Sequence, residues 1–219
     1  MLPPTAKDNT QPWPSALVTV FAGAFLLFFA TALIVRAADY KSVREVDFKD
    51  FTYPWEQATG SSTWEWIGIP EQWKVKLVNG IYRFIDPHAE RVVRERSPYL
   101  SFHFVAYGDL DGSGIDEAAV ALNYRTGGTA NWDYLYVYKL EHGQLKLLDR
   151  LESGSRGYGG LIRATIRDKI LTLDFADPER RTGDCCSDGY IRVHYRWATN
   201  GFVEEGSREH GDLKPETQF

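Results

Sequence analysis

Hydrophobic and polar residues alternate along much of the chain, with a period of two. The clearest case is the stretch 190–197, where Ile191, Val193, Tyr195 and Trp197 share one face and the residues between them share the other. Because successive side chains of a strand point to opposite faces, this pattern predicts a half-buried β-strand. Comparable short runs lie at 75–78, 81–84, 100–104, 118–122, 134–138, 145–148, 161–166 and 170–175. The sequence therefore predicts a mainly β fold, either one antiparallel sheet or a small sandwich.

Short turn sequences separate several of these runs. Residues that tolerate a positive φ favour two-residue hairpin turns, and Asn-Gly is the strongest such pair. The candidate turns are Asn79-Gly80, the Glu141-His142-Gly143 stretch, Asp168-Lys169 and Thr199-Asn200-Gly201. They predict hairpins between consecutive strands.

One segment shows no alternation at all. Residues 16–35 (ALVTVFAGAFLLFFATALIV) are twenty consecutive residues without a charge. At about 1.5 Å per residue, a helix of this length spans the roughly 30 Å hydrocarbon core of a bilayer. We therefore predict one N-terminal transmembrane helix in contact with the lipid bilayer. A cleaved signal peptide is the alternative, although its apolar region usually runs only about 7–15 residues.

These patterns divide the chain into five parts. A short helix near 87–96 is the only helix predicted after the membrane segment. The predicted parts are a disordered tail at 1–14, a transmembrane anchor at 15–36, a connector at 37–56, a β-rich domain at 57–206 and a flexible tail at 207–219.

Charges near the apolar segment disagree with other signals about orientation. Lys7 precedes the segment, whereas Arg36, Lys41, Arg44 and Lys49 follow it, and the positive-inside rule would place the large domain in the cytoplasm. The acidic loop and the cysteines described below favour export instead. We predict a single-pass protein of the bacterial inner membrane with an extracytoplasmic domain, against that one rule.

Composition narrows the class of protein. The chain is 43% hydrophobic and 14% aromatic, which favours a folded, β-rich domain. Its net charge of −5 argues against a nucleic-acid partner. Exposed aromatic residues would suit a protein or glycan partner, and the candidates are Trp64, Trp66, Trp132 and Tyr134.

An acidic, glycine-rich loop, Tyr107-Gly108-Asp109-Leu110-Asp111-Gly112-Ser113-Gly114-Ile115-Asp116-Glu117, separates two apolar runs. Oxygen side chains at alternate positions, Asp109, Asp111 and Ser113, would point to one side of a tight loop. Calcium takes six to eight oxygen ligands, so such a loop is suited to bind it. The alternative is a β-turn with solvated acidic residues.

The spacing of this loop excludes an EF-hand. The twelfth position counted from Asp109 is Val120, where an EF-hand needs a bidentate Glu. The order instead resembles the calcium loop of FG-GAP and VCBS-type β-proteins, except that Ser113 replaces a usual Asp. That resemblance implies calcium ligands at Asp109, Asp111, Ser113, the carbonyl of Ile115 and Glu117, in a loop that joins two strands.

A longer series of motifs extends the resemblance. The segments "YGDLDGSGIDEAAVAL", "GGTANWDYLYVYKLEHGQLKLL", "SGSRGYGGL" and "CCSDGYIRVHYRW" occur in that order. The series resembles uncharacterised bacterial envelope proteins similar to mycobacterial LppP/LprE-type lipoproteins, over roughly 102–204. The resemblance implies an envelope location and a β fold, and no activity. This chain lacks a lipobox cysteine, so lipidation does not carry over.

Cys185 and Cys186 are the only cysteines. Adjacent Cα atoms lie about 3.8 Å apart, below the usual disulfide range of roughly 4.4–6.8 Å, so a bond between them would close a strained ring. A vicinal disulfide, two free thiols and a bond to a partner chain all remain open. Their predicted role is to rigidify the turn between Phe175 and Ile191.

No catalytic motif emerges from the sequence. The five histidines show no metal-binding pairing, and no nucleophile elbow occurs. The glycine-rich stretch 153–160 could bind an anion through backbone N–H groups and Arg156, or be a flexible loop; it lacks the Gly-Lys-Ser/Thr of a P-loop. The favoured function is a membrane-anchored binding or structural module, and the alternative is a cell-envelope hydrolase that uses acidic loop residues such as Asp111.

Overall fold

The computed structural model describes residues 39–56, 64–68, 73–85, 90, 96–183 and 185–213. The described residues belong to one compact unit that spans 36–219. The apolar segment 16–35 and most of the predicted helix near 87–96 lie outside the described residues. Within the described ranges, no helix is long and apolar enough to cross a membrane.

The described part of the chain is mainly β, and every strand pairing in it is antiparallel. Short 3-10 helices occur at Val43–Glu45 and Pro178–Arg180. The strands are β1 (Thr52–Trp55), β2 (Glu65–Trp66), β3 (Trp73–Lys76), β4 (Ile81–Arg83), β5 (Tyr99–Gly108), β6 (Glu117–Arg125), β7 (Asn131–Glu141), β8 (Gln144–Glu152), β9 (Leu161–Arg167), β10 (Ile170–Ala176), β11 (Gly189–Ala198), β12 (Gly201–Glu204) and β13 (Glu209–Asp212). The predicted mainly β class is confirmed.

The strands form three sheets. A six-stranded sheet has the order β2-β8-β7-β6-β5-β4, a five-stranded sheet has the order β12-β11-β10-β9 with β13 beside β11, and β1 pairs with β3. The long strands β5 to β8 follow one another as a meander, so the centre of the six-stranded sheet consists of sequential hairpins. This centre carries both sites described below.

Each face of the six-stranded sheet carries its own hydrophobic cluster. One cluster combines Ala121 and Leu135 of this sheet with Leu173 and Val193 of the five-stranded sheet, so these two sheets form a sandwich. The opposite face is covered by the β1/β3 pair and residues before it, in a second cluster rich in aromatic side chains. Because both faces are covered, β6 and β7 are almost continuously buried.

Three of the four predicted hairpin turns join paired strands, and the fourth does not. His142 and Gly143 join β7 to β8, and Asp168 and Lys169 join β9 to β10, all four with positive φ as a two-residue hairpin turn requires. The β11–β12 hairpin is also confirmed. The Asn79-Gly80 turn forms, but only one bridge, Val78 to Ile81, joins its two sides. Its flanking strands diverge because β3 pairs with β1 and β4 with β5.

Residues assigned to the connector and to the C-terminal tail contribute to this fold. Within 37–56, the side chains of Phe48, Tyr53 and Trp55 are buried in the aromatic cluster. Within 207–219, β13 pairs with β11. The aromatic residues of the connector therefore pack on the domain.

A β-bulge interrupts β5 at His103. Phe102 pairs with Leu122 and Phe104 with Ala121, so His103 is an extra residue without a partner in β6. A bulge of this kind re-aims side chains and is common near functional sites. Here it shifts the alternation of β5, because Phe102 packs on the aromatic cluster whereas Phe104 packs in the sandwich.

Candidate functional site

The acidic loop connects β5 to β6 at one end of the six-stranded sheet. Gly112 and Gly114 have φ values of 81° and 80°, which only glycine adopts without strain. These two residues let the chain reverse its direction between Gly108 and Glu117, which pair with each other at the base of the loop. The loop therefore joins two strands, as the FG-GAP resemblance implied.

Three carboxylates converge in this loop. One oxygen from each of Asp109, Asp111 and Glu117 lies within 4.8 Å of the other two. Glu117 is only 2% exposed, whereas Asp109 is half-buried and Asp111 is exposed. Ser113 and the carbonyl of Ile115 stay predictions as ligands.

Backbone N–H groups hold the carboxylates in place. Asp109 accepts hydrogen bonds from Gly112 N (2.6 Å) and Gly114 N (2.9 Å). Asp111 accepts from Ser113 N at 2.9 Å, and Glu117 Oε2 accepts from Leu110 N at 2.6 Å. The carboxylates are thus oriented before any ligand binds, which lowers the cost of ordering them.

The pKa values of the carboxylates shift in opposite directions at the two ends of the loop. Burial, together with the negative charges of Asp111 and Asp109, raises the pKa of Glu117 to about 7, against the hydrogen bonds from the Leu110 and Asp111 backbone. Desolvation also tends to raise the pKa of Asp109, but hydrogen bonds from Gly114, Gly112 and Ser113 outweigh it and the pKa is lowered. Mutual repulsion of this kind is relieved by a cation placed between the carboxylates.

Basic groups surround the loop without replacing such a cation. Asp116 forms an ion pair with Arg44 at 2.6 Å and does not belong to the carboxylate cluster. Lys139 forms an ion pair with Glu141 at 2.5 Å, and the charge of Lys169 lowers the pKa of Asp109. Three oxygen-bearing, acidic side chains match the hard donors that calcium prefers, so the residues fit the predicted ion.

The two cysteines form a vicinal disulfide, with the Cα atoms 3.7 Å apart. This outcome confirms one of the three alternatives left open by the sequence. The turn that carries them packs closely on the glycine-rich stretch 153–160, because a Cβ at Gly157 would lie 2.6 Å from the Cys186 carbonyl oxygen. The disulfide turn and this stretch therefore form one packed unit.

Three backbone N–H groups of the glycine-rich stretch are not available to an anion. These N–H groups are used inside the stretch: Gly154 N donates to Gly159 O (3.0 Å), Tyr158 N to Ser155 O (2.8 Å), and Gly160 N to Arg156 O (2.8 Å). The side chain of Arg156 lines the pocket described next.

A polar pocket of about 450 Å³ lies at the other end of the same sheet. Its floor consists of neighbouring strands, because Ser101 of β5 pairs with Asn123 of β6, which in turn pairs with Asp133 of β7. Other strands and loops complete the walls. The lining residues are Ser101, Phe102, His103, Asn123, Arg125, Asn131, Asp133, Arg156 and Cys185.

Asp133 is buried in the floor of this pocket, with 4% exposure. Its carboxyl accepts hydrogen bonds from Asn123 Nδ2 (2.6 Å) and Leu161 N (3.1 Å), and the His103 Nδ1 lies 4.0 Å away. Burial raises the pKa of Asp133 to about 7, despite the opposing effects of these donors and of Arg125. Burial, together with the charge of Arg125, lowers the pKa of His103.

This pocket was not predicted from the sequence, although the sequence contains a signal for it. On β6 and β7 the face that enters the sandwich continues past Ala121 and Leu135 into the polar residues Asn123, Arg125, Asn131 and Asp133. Polar residues that continue an apolar face at a period of two mark a place where the second sheet stops. The bulge at His103 left no comparable trace in the sequence.

Of the four aromatic residues named as a candidate surface, Trp64, Trp66 and Trp132 are half-buried, and one is not exposed. Tyr134 is fully buried. Trp64 stacks on Phe175 with ring centroids 4.2 Å apart, and Trp66 stacks on Phe202 at 4.1 Å, so both indoles cover the edge of the sandwich. Tyr134 is buried because it lies on the face of β7 that enters the aromatic cluster, and both faces of β7 are covered.

No protein-family model, curated protein or solved structure matches this chain. The resemblances to FG-GAP loops and to LppP/LprE-type lipoproteins therefore stay predictions.

Proposed function

We propose that this chain is a membrane-anchored, extracytoplasmic binding or structural module whose β-domain is stabilised by calcium at Asp109, Asp111 and Glu117. The observation that carries the calcium proposal is the convergence of three carboxylates within 4.8 Å in a loop that joins two central strands. Calcium there would tie the ends of β5 and β6 together. Ser113 and the Ile115 carbonyl would complete the ligand set.

Two observations support the proposed location. Residues 16–35 are uncharged and long enough to span a bilayer. Cys185 and Cys186 form a disulfide, and disulfides persist mainly in oxidising compartments. Together they favour a tether in the inner membrane with the domain outside the cytoplasm.

A hydrolase that uses the acidic loop is the second candidate. The pKa of Glu117, raised to about 7, would suit a general acid or base. The Glu117 carboxyl, however, is 2% exposed and already accepts the Leu110 N–H, so a substrate has poor access to it. Calcium binding uses the same three carboxylates without that requirement, and we therefore rank the hydrolase second.

We expect calcium to raise the melting temperature of the full chain in detergent by roughly 5–10 °C when calcium is about 100-fold above its Kd. A Glu117→Gln variant removes one charge from the cluster with little change in shape, and should lose most of this rise. Differential scanning fluorimetry with tryptophan fluorescence, with EDTA and then with added calcium, makes the measurement.

Asp116→Asn is the matched control for this experiment. Asp116 lies next to Glu117 in sequence but pairs with Arg44. Calcium should therefore raise the melting temperature of the Asp116→Asn variant as much as that of the wild type. Equal melting temperatures with EDTA and with calcium in the wild-type chain would refute the calcium proposal.

The proposed location has its own test. Protease added to spheroplasts should digest the large domain, while the inner membrane stays intact, and alkylation should find no free thiol at Cys185 or Cys186. A cytoplasmic protein serves as the control for membrane integrity. Protection of the domain from protease, together with two free thiols, would refute an extracytoplasmic location.

A further inference from the structure

The polar pocket carries positive charge that the described residues do not neutralise. Among these residues, no ion pair joins Arg125 or Arg156 to a carboxylate. With the Asn131 amide oriented to satisfy its neighbours, its oxygen accepts hydrogen bonds from Arg156 Nη2 (2.5 Å) and Nε. The Arg156 guanidinium is therefore held in place by a neutral group and keeps its charge for a ligand.

Among the described residues, the one carboxylate that lines the pocket, Asp133, is poorly suited to neutralise these arginines. Asp133 is buried in the floor and bonded to Asn123 and Leu161 N. Its pKa of about 7 means that a large fraction of this group is neutral near pH 7. The balance of charge in the pocket is thus positive, and an anionic ligand would be attracted to it.

The floor of the pocket also contains an acceptor that lacks a hydrogen-bond donor. The Asn123 Oδ1 atom is buried and has no hydrogen-bond partner. Buried acceptors are normally paired, and leaving one unpaired is costly. A ligand hydroxyl that reaches the floor would satisfy this oxygen, whereas a bare anion would not.

The volume of the pocket indicates the size of the ligand. A volume of about 450 Å³ falls within the usual range for small-molecule sites and is ample for one sugar ring. We propose that the pocket binds a monosaccharide-sized, hydroxylated ligand that carries a carboxylate or phosphate group. Arg125 and Arg156 bind the anionic group, and Asn123 accepts a hydrogen bond from a ligand hydroxyl.

This inference rests on the binding role proposed for the domain, but it uses a different site. The acidic loop lies before Glu117 at the start of β6, and Arg125 lies at the end of the same strand. At about 3.3 Å per residue, the two sites are separated by roughly 26 Å. Binding in the pocket can therefore be tested without reference to calcium.

Isothermal titration of the full chain with D-glucuronate, D-glucose 6-phosphate and D-glucose tests the proposal. We expect at least one acidic sugar to bind saturably and glucose to bind about tenfold more weakly or not at all. Binding of glucuronate alone assigns a carboxylate ligand, and binding of glucose 6-phosphate alone assigns a phosphate ligand. Acetate, which has the charge without hydroxyl groups, should bind more weakly than glucuronate.

Variants locate the binding. Arg125→Gln and Arg156→Gln should each weaken binding of the acidic sugar by about tenfold or more, because each loses charge-assisted hydrogen bonds. Arg167→Gln is the matched control, since Arg167 is exposed at the far end of β9 and does not line the pocket. Melting temperatures of all three variants check that they are folded.

A second measurement does not depend on any variant. In the wild-type chain, NMR amide shifts caused by the sugar should centre on Ser101, His103 and Asn131. The same titration of Glu117→Gln should give an unchanged affinity, so failure of the calcium proposal leaves this one intact. Three results would overturn the pocket: no saturation by either acidic sugar, equal binding of glucose, or full affinity in both arginine variants.

Discussion

The Asp133→Asn variant is expected to gain stability relative to the wild-type protein as the pH rises from about 4 to about 7. Burial raises the pKa of the folded Asp133 carboxyl from 3.8 to about 7, although Asn123 and Leu161 N donate hydrogen bonds to it. Between these two values the folded state binds more protons at Asp133 than the unfolded state does. The contribution of this group is therefore fully present below pH 4 and is lost as the pH rises through 7.

The size of the expected change in stability follows from the pKa shift of Asp133. A difference of about three pKa units corresponds to a change on the order of 4 kcal/mol in the free energy of unfolding between the two ends of this range. Asparagine has no charge to bury, so Asp133→Asn loses the dependence. If the Asn123 amide turns over, so that its Oδ1 instead of its Nδ2 faces residue 133, the new amide can donate to that oxygen while its own oxygen accepts from Leu161 N.

Urea denaturation of both proteins at intervals from pH 4 to pH 8 measures this difference. Other charged groups contribute equally to both proteins and cancel, except those that face Asp133, namely His103 at 4.0 Å and Arg125. Repeating the comparison in a His103→Gln background removes the imidazole. Parallel pH profiles of the two proteins would show that Asp133 is not buried as described.

Replacing Tyr53 by alanine is expected to destabilise the domain by roughly 3–5 kcal/mol, the usual cost of deleting a buried aromatic side chain. Tyr53 is fully buried, and its ring packs edge-on against Phe51 with centroids 5.0 Å apart and against Tyr136 at 5.3 Å. Its hydroxyl donates to the Phe48 carbonyl at 2.6 Å. The segment after the apolar stretch thereby becomes part of the core.

Two controls separate packing from other effects. Tyr53→Phe keeps the ring and loses one hydrogen bond, which should cost about 1 kcal/mol. Trp73→Ala removes a larger ring from β3, which pairs with the strand of Tyr53, but Trp73 is 69% exposed and the change should stay within about 0.5 kcal/mol. Chemical denaturation checks all three; similar small losses for Tyr53→Ala and Trp73→Ala would mean that 37–56 is only a connector.

The periodic patterns predicted the strands well because local sequence and tertiary burial agree there. The alternation in β11 reappears as alternating burial from Ile191 to Tyr195. The turn at Asp168-Lys169 also formed as expected, since a two-residue hairpin depends on its own backbone and on the strands beside it. Agreement of this kind is strongest for contacts between neighbours in sequence.

The acidic loop was predicted for the same reason. Asp109, Asp111 and Glu117 lie within nine consecutive residues, and glycines at fixed positions determine how such a loop bends. The predicted ligand set already left Asp116 out of this cluster. Asp116 is excluded from it because Arg44, distant in sequence, pairs with its carboxylate.

By itself, the sequence determined the β class, the principal hairpins, the turn that brings three carboxylates together and the presence of one long apolar segment. Only the tertiary structure decided that the strands form a sandwich with a third layer, that Tyr53 and its neighbours are core, and that Asn123, Asp133 and Arg156 share a pocket. The physical reason is range: local periodicity and turn geometry depend on adjacent residues, whereas a pocket depends on where sheets end and on which distant loops cover them.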